Sequence, residues 1–352
     1  MASFRNALGL DIGSSSIKLI QLKETPRGVV LQNFDMALLP PDAVVDGALV
    51  NFTAIVEKIR ELLSVHRIRH KECALSISGH SVIIKKISLP EMTQEELNES
   101  IQWEAEQYIP FDIKDVEVDV EILNPKAGQG QMDVLLVAAK KDIINDYVSV
   151  AMEAGLKPVI MDVDAFTTQN GFELNYGFPP NDVIALIDIG AAIININIIA
   201  NGISTFTRDI SMGGHMLTEE IQKQLGVSFE EAEHYKTGGE GTISSSSIYR
   251  EVQRLSERVS ETLVTEIQRS IDFFAATTVN AEISRVYLSG GSAQIPALIR
   301  SLERRLEVPV ELVNPFKNIV VDPKKFDFDL LQRMAPMAAV AVGLGLRGVG
   351  ES

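Results

Sequence analysis

Apolar and polar positions along the first sixty-five residues change from a strand pattern to a helix pattern. Residues 6–22 and 27–38 are rich in Leu, Ile and Val with the spacing of β-strands, and a Pro-Pro turn follows at 40–41. From 51 to 65 the apolar residues recur every three to four positions, which predicts an amphipathic helix with one buried face. That face consists of Phe52, Ile55, Val56, Ile59, Leu62 and Leu63.

Two further apolar stretches predict strands before the composition changes at Pro90. Residues 72–79 and 81–89 flank Gly79, and this pattern predicts a strand pair around that glycine. Thr93 and Glu96 then have the spacing of a capping box, so a helix is expected from there until Pro110. Two strands and a helix follow at 115–123, 131–139 and 141–154, and together these elements predict an inserted α-β-β-α subdomain.

The second half of the chain begins after a Gly/Pro/Asn-rich stretch at 175–182, which is the best linker candidate. Strands are expected over 183–210 and helices over 216–279, with a Gly/Ser-rich break at 237–247. The long helix after that break has an apolar stripe, which we expect to be buried rather than to form a coiled coil. The stripe consists of Val252, Leu255, Val259, Leu263, Ile267, Ile271 and Phe274, and a strand, a turn and a helix follow at 284–306.

The most apolar segment, residues 183–200, approaches the length of a membrane span. It contains Asp188, Asn195 and Asn197, and its Ile-Asn-Ile-Asn-Ile alternation is typical of a strand. The N-terminal residues contain one Arg and an early Asp, unlike a signal peptide or an anchor. We therefore expect no segment of this chain to enter a membrane.

A short motif occurs twice. Residues 8–22 contain Asp-Ile-Gly between two apolar strands, and residues 184–199 contain the same pattern. The two copies are 177 positions apart, from Asp11 to Asp188. One repeat in each half of the chain predicts two similar lobes that face each other, each with a hairpin turn.

Length, charge and cysteine content narrow the function classes. A chain of 352 residues predicts two domains, and a composition 45% hydrophobic and 23% charged is that of a globular protein. The net charge of −16 would repel a nucleic acid backbone, so we expect no nucleic acid partner. The single cysteine, Cys73, cannot form an internal disulfide, which fits a reducing cytoplasm.

The residues of the two turns are suited to phosphate. Small residues allow backbone N–H groups to approach an anion, Ser14, Ser15 and Ser16 add hydroxyl donors, and Lys18 adds a cation. A carboxylate beside phosphate would be repelled, so Asp11 and Asp188 indicate a hydrated divalent cation between them. The alternative, that each Asp-x-Gly is only a hairpin turn, stays open for either copy alone.

A third element makes the nucleotide interpretation stronger. Residues 286–293 form a predicted strand that ends in Gly290 and Gly291 and leads into a helix. A helix N-terminus behind two glycines can hold a phosphate or a ribose. The three elements together predict a nucleotide clamp.

These motifs resemble the nucleotide-binding signature of the actin, Hsp70 and hexokinase superfamily. "LGLDIGSSSIKL" resembles its first phosphate loop, "ALIDIGAAI" its second, and "VYLSGGSA" its adenosine motif, while 161–172 and 335–347 resemble its two connecting helices. Within it, "EAEQYIPFD", "TRDISMGGHMLTEEI", "VNPFKNIVVDP" and "MAAVAVGLGLR" resemble the PilM family of type IV pilus assembly proteins, which is related to FtsA.

That resemblance implies an α/β fold of the actin-like, ribonuclease H-like class, with two lobes and an inserted α-β-β-α subdomain. The first lobe (1A) would comprise residues 1–84, 155–175 and 335–352, and the inserted subdomain (1C) residues 85–154. The second lobe (2A) would comprise 181–212 and 283–334, with subdomain 2B at 213–282.

The resemblance also implies ATP in the cleft, with Mg²⁺ ordered by Asp11 and Asp188 through water. Gly13, Ser14, Ser15 and Lys18 would hold the β-phosphate, and Gly190 and Ala191 would lie by the γ-phosphate. Gly213 and Gly214 would approach the ribose and phosphates. Glu233 and Lys236 would bracket the nucleoside, and Gly290, Gly291 and Ser292 would lie on the adenine side.

Two departures from active relatives put hydrolysis in doubt. Asp164 stands where relatives often carry a longer Glu or Gln that orients water, and Asp188 is the other candidate catalytic carboxylate. The second loop has Ala191 and Ala192 where active relatives have further Gly and Thr. Because phosphoryl transfer depends on positioning and electrostatics, we expect a scaffold before an ATPase. A small-molecule kinase and an FtsA-like filament are the alternatives.

The PilM resemblance implies a peptide partner. Such proteins dock the cytoplasmic N-terminal peptide of the inner-membrane protein PilN, and other pilus components, or further copies in a ring, are possible partners. The sequence shows no basic amphipathic tail, so recruitment from the cytoplasm to the membrane is expected through the partner alone. Tyr108, Ile109, Pro110 and Phe111 are the groove candidates, or else the core of the inserted subdomain; the single Trp103 is expected in the core.

Overall fold

The computed structural model describes residues 6–238, 247–278 and 282–349. Its strands are β1 (Leu8–Ile12), β2 (Ser16–Thr25), β3 (Gly28–Leu38), β4 (Val44–Val45), β5 (Ala48–Leu49), β6 (Glu72–Ile77), β7 (Val82–Pro90), β8 (Val116–Gly128), β9 (Gln131–Lys140), β10 (Lys157–Val163), β11 (Val183–Ile189), β12 (Ile194–Ala200), β13 (Ile203–Ile210), β14 (Arg285–Ser289) and β15 (Val310–Leu312).

The helices of the described residues surround these strands. They are α1 (Phe52–Val65), α2 (Gln94–Ala105), α3 (Lys141–Glu153), α4 (Asp164–Tyr176), α5 (His215–Leu225), α6 (Phe229–Lys236), α7 (Ser247–Thr277), α8 (Pro296–Leu306), α9 (Phe328–Met334) and α10 (Ala339–Gly345). None of them combines the length and apolarity needed to cross a membrane.

Two five-stranded sheets have the same topology. The first has the order β10-β6-β1-β2-β3 and the second the order β15-β14-β11-β12-β13. In each sheet one strand carries the Asp-Ile-Gly motif, β1 in the first and β11 in the second. This strand pairs antiparallel with the next strand along the chain and parallel with a later strand, which is β6 in the first sheet and β14 in the second. The repeat of Asp-Ile-Gly therefore marks equivalent hairpins of two similar lobes, as predicted.

The predicted amphipathic helices bury the predicted faces. In α1 the five residues from Ile55 to Leu63 on the apolar face are buried against the first sheet, and the Asn51 side chain caps the helix by accepting the Ala54 N–H at 3.1 Å. The apolar stripe of α7 packs on the second sheet, with Ile271 only partly buried. The break predicted at 237–247 lies mostly outside the described residues.

The two connecting helices cross at close range between the lobes. A Cβ at Gly343 of α10 would collide with the carbonyl oxygen of Thr167 in α4, so this crossing requires a residue without a side chain. Phe172 of α4 is buried against the second sheet, where its ring centroid lies 4.6 Å from that of Tyr287. These helices set how the two sheets face each other.

The inserted subdomain is a three-stranded sheet of order β7-β9-β8 with its own apolar core. Here one prediction is wrong: β6 and β7 exist as strands, yet they do not pair around Gly79. β6 pairs with β1 and β10, whereas β7 pairs with β9 in the sheet of the inserted subdomain. Buried side chains of α3, among them Tyr147 and Val150, join the core of the first sheet.

Candidate functional site

The first hairpin turn places a cation beside a carboxylate. Asp11 in β1 lies directly opposite Lys18 in β2, and Lys18 Nζ lies 3.1 Å from Asp11 Oδ2. The turn is closed by the Gly13 N–H, which donates to the Ser16 carbonyl at 3.1 Å. Ser14 and Ser15 are partly buried at the tip, whereas Ser16 is buried at the start of β2. The turn thus presents backbone, hydroxyl and ammonium donors in one place.

The second turn has the same shape with different side chains. The Gly190 N–H donates to the Ile193 carbonyl at 2.9 Å, and Ser289 Oγ donates to Asp188 Oδ1 at 2.7 Å. Burial raises the pKa of Asp188 to about 6, while the Ser289 hydrogen bond and the Lys18 charge oppose that rise and Asp11 adds to it. Charges of the first hairpin therefore act on Asp188 across the cleft.

Asp164 is the third carboxylate of this cleft and begins α4. Ser76 Oγ donates to Asp164 Oδ1 at 2.6 Å. Burial, together with the charges of Asp11 and Asp188, raises the pKa of Asp164 to about 7, while hydrogen bonds from Ser76 and Ser78 oppose that rise. Three acidic side chains of like charge thus face one cleft, which fits a site that takes a cation.

The described residues hold no group of three or more His, Cys, Asp or Glu side chains arranged as a metal site. Mg²⁺, however, usually keeps several waters and takes only one or two protein carboxylates beside phosphate oxygens. Asp11 and Asp188 suit that kind of coordination, since each carries a carboxylate into the cleft from one lobe.

The loop after β13 closes tightly on the second turn. The Gly214 N–H donates to the Gly190 carbonyl at 3.0 Å, and the His215 N–H donates to the Ala191 carbonyl at 2.8 Å. A Cβ at Gly213 would stand only 2.5 Å from the Ala191 carbonyl oxygen. Glycine at that position is what allows the two loops to meet.

Glu233 and Lys236 of α6 meet next to this loop. Lys236 Nζ lies 2.5 Å from Glu233 Oε1, 2.9 Å from Thr218 Oγ1 and 3.4 Å from the Gly214 carbonyl oxygen. Burial lowers the pKa of Lys236, and the Glu233 charge opposes this. The pair therefore holds an ammonium group at the wall of the cleft.

The turn after β14 completes the cleft. Gly290 has φ of 90°, and a Cβ there would collide with the Ile189 backbone, so a glycine is required. Ser292 Oγ donates to the Gly190 carbonyl at 2.8 Å, which ties this turn to the second hairpin. A Cβ at Gly291 would lie 3.6 Å from Met337 Sδ, so Met337 lines this side.

The structure brings the predicted site residues of each lobe together. It also shows side chains that hydrogen-bond to them and that were not predicted from the sequence. Ser76 and Ser289 hold the carboxylates, and Thr218 holds Lys236. Ser289 could have been predicted from the sequence, because it directly precedes Gly290 of the predicted glycine turn. Nothing local distinguishes Ser76, Thr218 or Met337 from ordinary core positions.

The four groove candidates of the inserted subdomain differ in how far they are buried. Ile109 is buried in the core of that subdomain, Tyr108 and Phe111 are partly buried against it, and Pro110 is exposed. Trp103 contradicts the expectation of a core position, because 77% of its surface is exposed. It lies off the face of α2 that buries Leu97, Ile101 and Ala105.

Comparison with known proteins gives a family match over nearly the whole chain. Residues 9–349 match the family described as type IV pilus assembly protein PilM. The solved "PilM-PilN type IV pilus biogenesis complex" is 31% identical with a TM-score of 0.87, and the match covers 98% of this chain and 99% of that one.

More distant relatives share the fold. The ethanolamine utilization protein EutJ from Carboxydothermus hydrogenoformans is 18% identical with a TM-score of 0.58, covering 97% of this chain and 89% of that chain. MreB5 of Spiroplasma citri, solved with AMPPNP, is 13% identical with a TM-score of 0.51, covering 96% and 94%. The cell division protein FtsA of Bacillus subtilis is 26% identical over 65% of this chain, and the match spans 57% of FtsA.

Proposed function

The chain belongs to the PilM family of type IV pilus assembly proteins, and we propose that it is an ATP-binding scaffold that docks the N-terminal cytoplasmic peptide of PilN. One observation carries the nucleotide part: two equivalent hairpin turns and the glycine turn after β14 border one cleft lined by Asp11, Asp164 and Asp188. The partner part is supported by the 31% identical PilM-PilN complex, which matches along the whole chain.

ATP would lie between the hairpins with its phosphates at the Gly13–Lys18 turn. Lys18 and the backbone N–H groups of that turn would neutralise and bind the β-phosphate. Gly190 and Ala191 would approach the γ-phosphate, and Lys236 and Ser292 would lie at the nucleoside. Mg²⁺, held through water by Asp11 and Asp188, would supply the positive charge that lets carboxylates and phosphates share one cleft.

Turnover of this ATP would be slow. Ala191 and Ala192 carry methyl groups where a hydroxyl would otherwise help to bind the γ-phosphate and its water. Asp164, though held by Ser76, is a short carboxylate whose raised pKa leaves it partly protonated near neutral pH. Positioned charge supplies most of the catalysis of phosphoryl transfer, so bound ATP would mainly hold a conformation.

The partner peptide would bind beside the inserted subdomain near Tyr108, Pro110 and Phe111, whose side chains are not fully buried. An extended peptide at such a place gains backbone hydrogen bonds from a strand edge and side-chain pockets between elements. The scaffold would act in the cytoplasm, at the membrane only through this partner.

A binding assay with the first dozen or so residues of PilN tests this proposal. We expect the peptide to raise the melting temperature of the full chain, because a ligand that binds only the folded state stabilises it. A peptide of the same composition in scrambled order is the control. An unmoved melting curve with the PilN sequence at saturating concentration would contradict the partner assignment.

A further inference from the structure

The Ile-Asn-Ile-Asn-Ile alternation of β12 separates two faces of one strand. Ile194, Ile196 and Ile198 are buried in the core of the second lobe. Asn195 and Asn197 lie on the opposite face and are also buried. Asn197 Nδ2 donates to the Ala165 carbonyl of α4 at 3.1 Å, so this polar face is directed toward the elements between the lobes.

Asn195 belongs to a row of polar side chains that crosses four neighbouring strands. Ser289 of β14 is in register with Asp188 of β11, Asp188 with Asn195 of β12, and Asn195 with Asp209 of β13. Ser289 Oγ donates to Asp188 at 2.7 Å, and Asn195 Nδ2 donates to Asp209 Oδ1 at 2.8 Å. We call these four residues the polar row. One end of it lies at the nucleotide cleft.

The other end of the polar row reaches the first lobe. The Gly79 N–H donates to Asp209 Oδ2 at 2.5 Å, and Gly79 has φ of 89° in the turn that precedes β7. Beside this contact, Ser211 Oγ lies 2.8 Å from His80 Nε2. Ile193 of the second turn packs against the same place, 3.2 Å from where a Gly79 Cβ would stand. β7 then enters the inserted subdomain directly.

This contact is directional and costly to lose. A carboxylate removed from water needs its hydrogen bonds, and withdrawing a donor from it leaves a buried polar group unsatisfied, with its desolvation uncompensated. Asp209 accepts from Asn195 on one oxygen and from Gly79 on the other. A shift of the second hairpin therefore moves the Gly79 turn with it or breaks these bonds, whereas an apolar contact would tolerate sliding.

We infer that the polar row couples the nucleotide cleft to the inserted subdomain, so that ATP and the partner peptide change each other's affinity. This inference rests on the proposed function and specifies its regulation. Binding of γ-phosphate at Gly190 and Ala191 would shift the second turn, and Asn195, Asp209 and Gly79 would carry that shift to β7. By linkage, the peptide must then change ATP affinity by the same factor.

The test measures peptide affinity with and without ATP and Mg²⁺, using a fluorescently labelled PilN peptide and the full chain. For the wild type we expect the Kd to change by about fivefold or more, the lower end of typical coupling between sites. In Asn195→Ala and in Asp209→Asn we expect that factor to fall below about twofold, although each variant still binds both ligands.

Asp209→Asn keeps the shape of the side chain and so preserves the test if Asn195→Ala fails to fold. Ser204→Ala is the matched control: Ser204 is also buried on β13, and its hydroxyl donates to Asn197 within the second lobe. It should retain the wild-type factor. Undiminished coupling in folded Asp209→Asn protein, or a wild type that binds both ligands independently, would overturn the inference. A wild type that binds no ATP or no peptide would instead contradict the proposed function itself.

Discussion

The two hairpins have the same strand pairing and differ in the residue that lies opposite the aspartate. In the first lobe Asp11 faces Lys18, which gives it a cation at 3.1 Å. In the second lobe the equivalent position holds Asn195, which turns away to Asp209. In our proposal one topology thus serves two tasks: the first hairpin would hold phosphate, and the second would join the nucleotide cleft to the other lobe.

The largest expected effect follows from removing the cation of the first hairpin. Lys18→Ala should weaken ATP binding by about 10- to 100-fold, because a charged hydrogen bond is lost and Asp11 stays beside the phosphates without its partner. Competition with a fluorescent nucleotide measures this. Lys23→Ala, on the exposed part of the same strand, is the control and should bind like the wild type. Equal affinity of Lys18→Ala and Lys23→Ala would remove the distinction between the hairpins.

A second prediction concerns the pH dependence of stability in the ligand-free protein. The pKa of Asp164 rises from 3.8 to about 7 on folding, so the folded state binds the proton more tightly than the unfolded state. Stability should therefore fall as pH rises through the folded-state pKa, by on the order of 2 kcal/mol between about pH 5 and about pH 8 for this group. Asp164→Asn should flatten the dependence.

Urea unfolding at about pH 5 and about pH 8 measures the effect, since the slope with pH reports the difference in bound protons. Asp46→Asn, at an exposed turn, should keep the wild-type slope. A slope unchanged by Asp164→Asn would mean that neither burial nor the neighbouring carboxylates raise the pKa of Asp164 on folding.

The smallest effect comes from making the second turn resemble the first. Ala191 and Ala192 are equivalent to Ser14 and Ser15, so the double variant Ala191→Ser/Ala192→Ser restores the missing hydroxyls. We expect ATP affinity to rise by about 3- to 10-fold, the value of one added neutral hydrogen bond. Titration calorimetry checks this against Ala127→Ser on the exposed end of β8. An unchanged or weaker affinity would mean that the second turn does not contact phosphate.

Much of this architecture could be predicted from local patterns. The helical period of α1 and α7, the capping box before α2 and the repeat of Asp-Ile-Gly each report on residues close in sequence. The repeat also predicted the two lobes, because one copy of the same strand-turn-strand motif in each half of the chain indicates two similar folds.

The failures have two different causes, long-range strand pairing and a residue type weighed without its helical position. Two apolar strands around Gly79 have the pattern of a hairpin, yet β6 finds its neighbours in β1 and β10, which come from distant parts of the chain. Trp103 was placed in the core by residue type alone, although its helical position lies off the buried face. The polar row could not be predicted either, because strand register across a sheet depends on long-range pairing.

If both hairpins border one nucleotide site, the folded chain must bind a single ATP together with Mg²⁺. Calorimetric titration of ATP with Mg²⁺ into the full wild-type chain tests it most directly. We expect one ATP per chain with micromolar or tighter affinity, and a loss of that affinity when Mg²⁺ is chelated. No heat of binding at saturating ATP and Mg²⁺, with a folded protein, would contradict it.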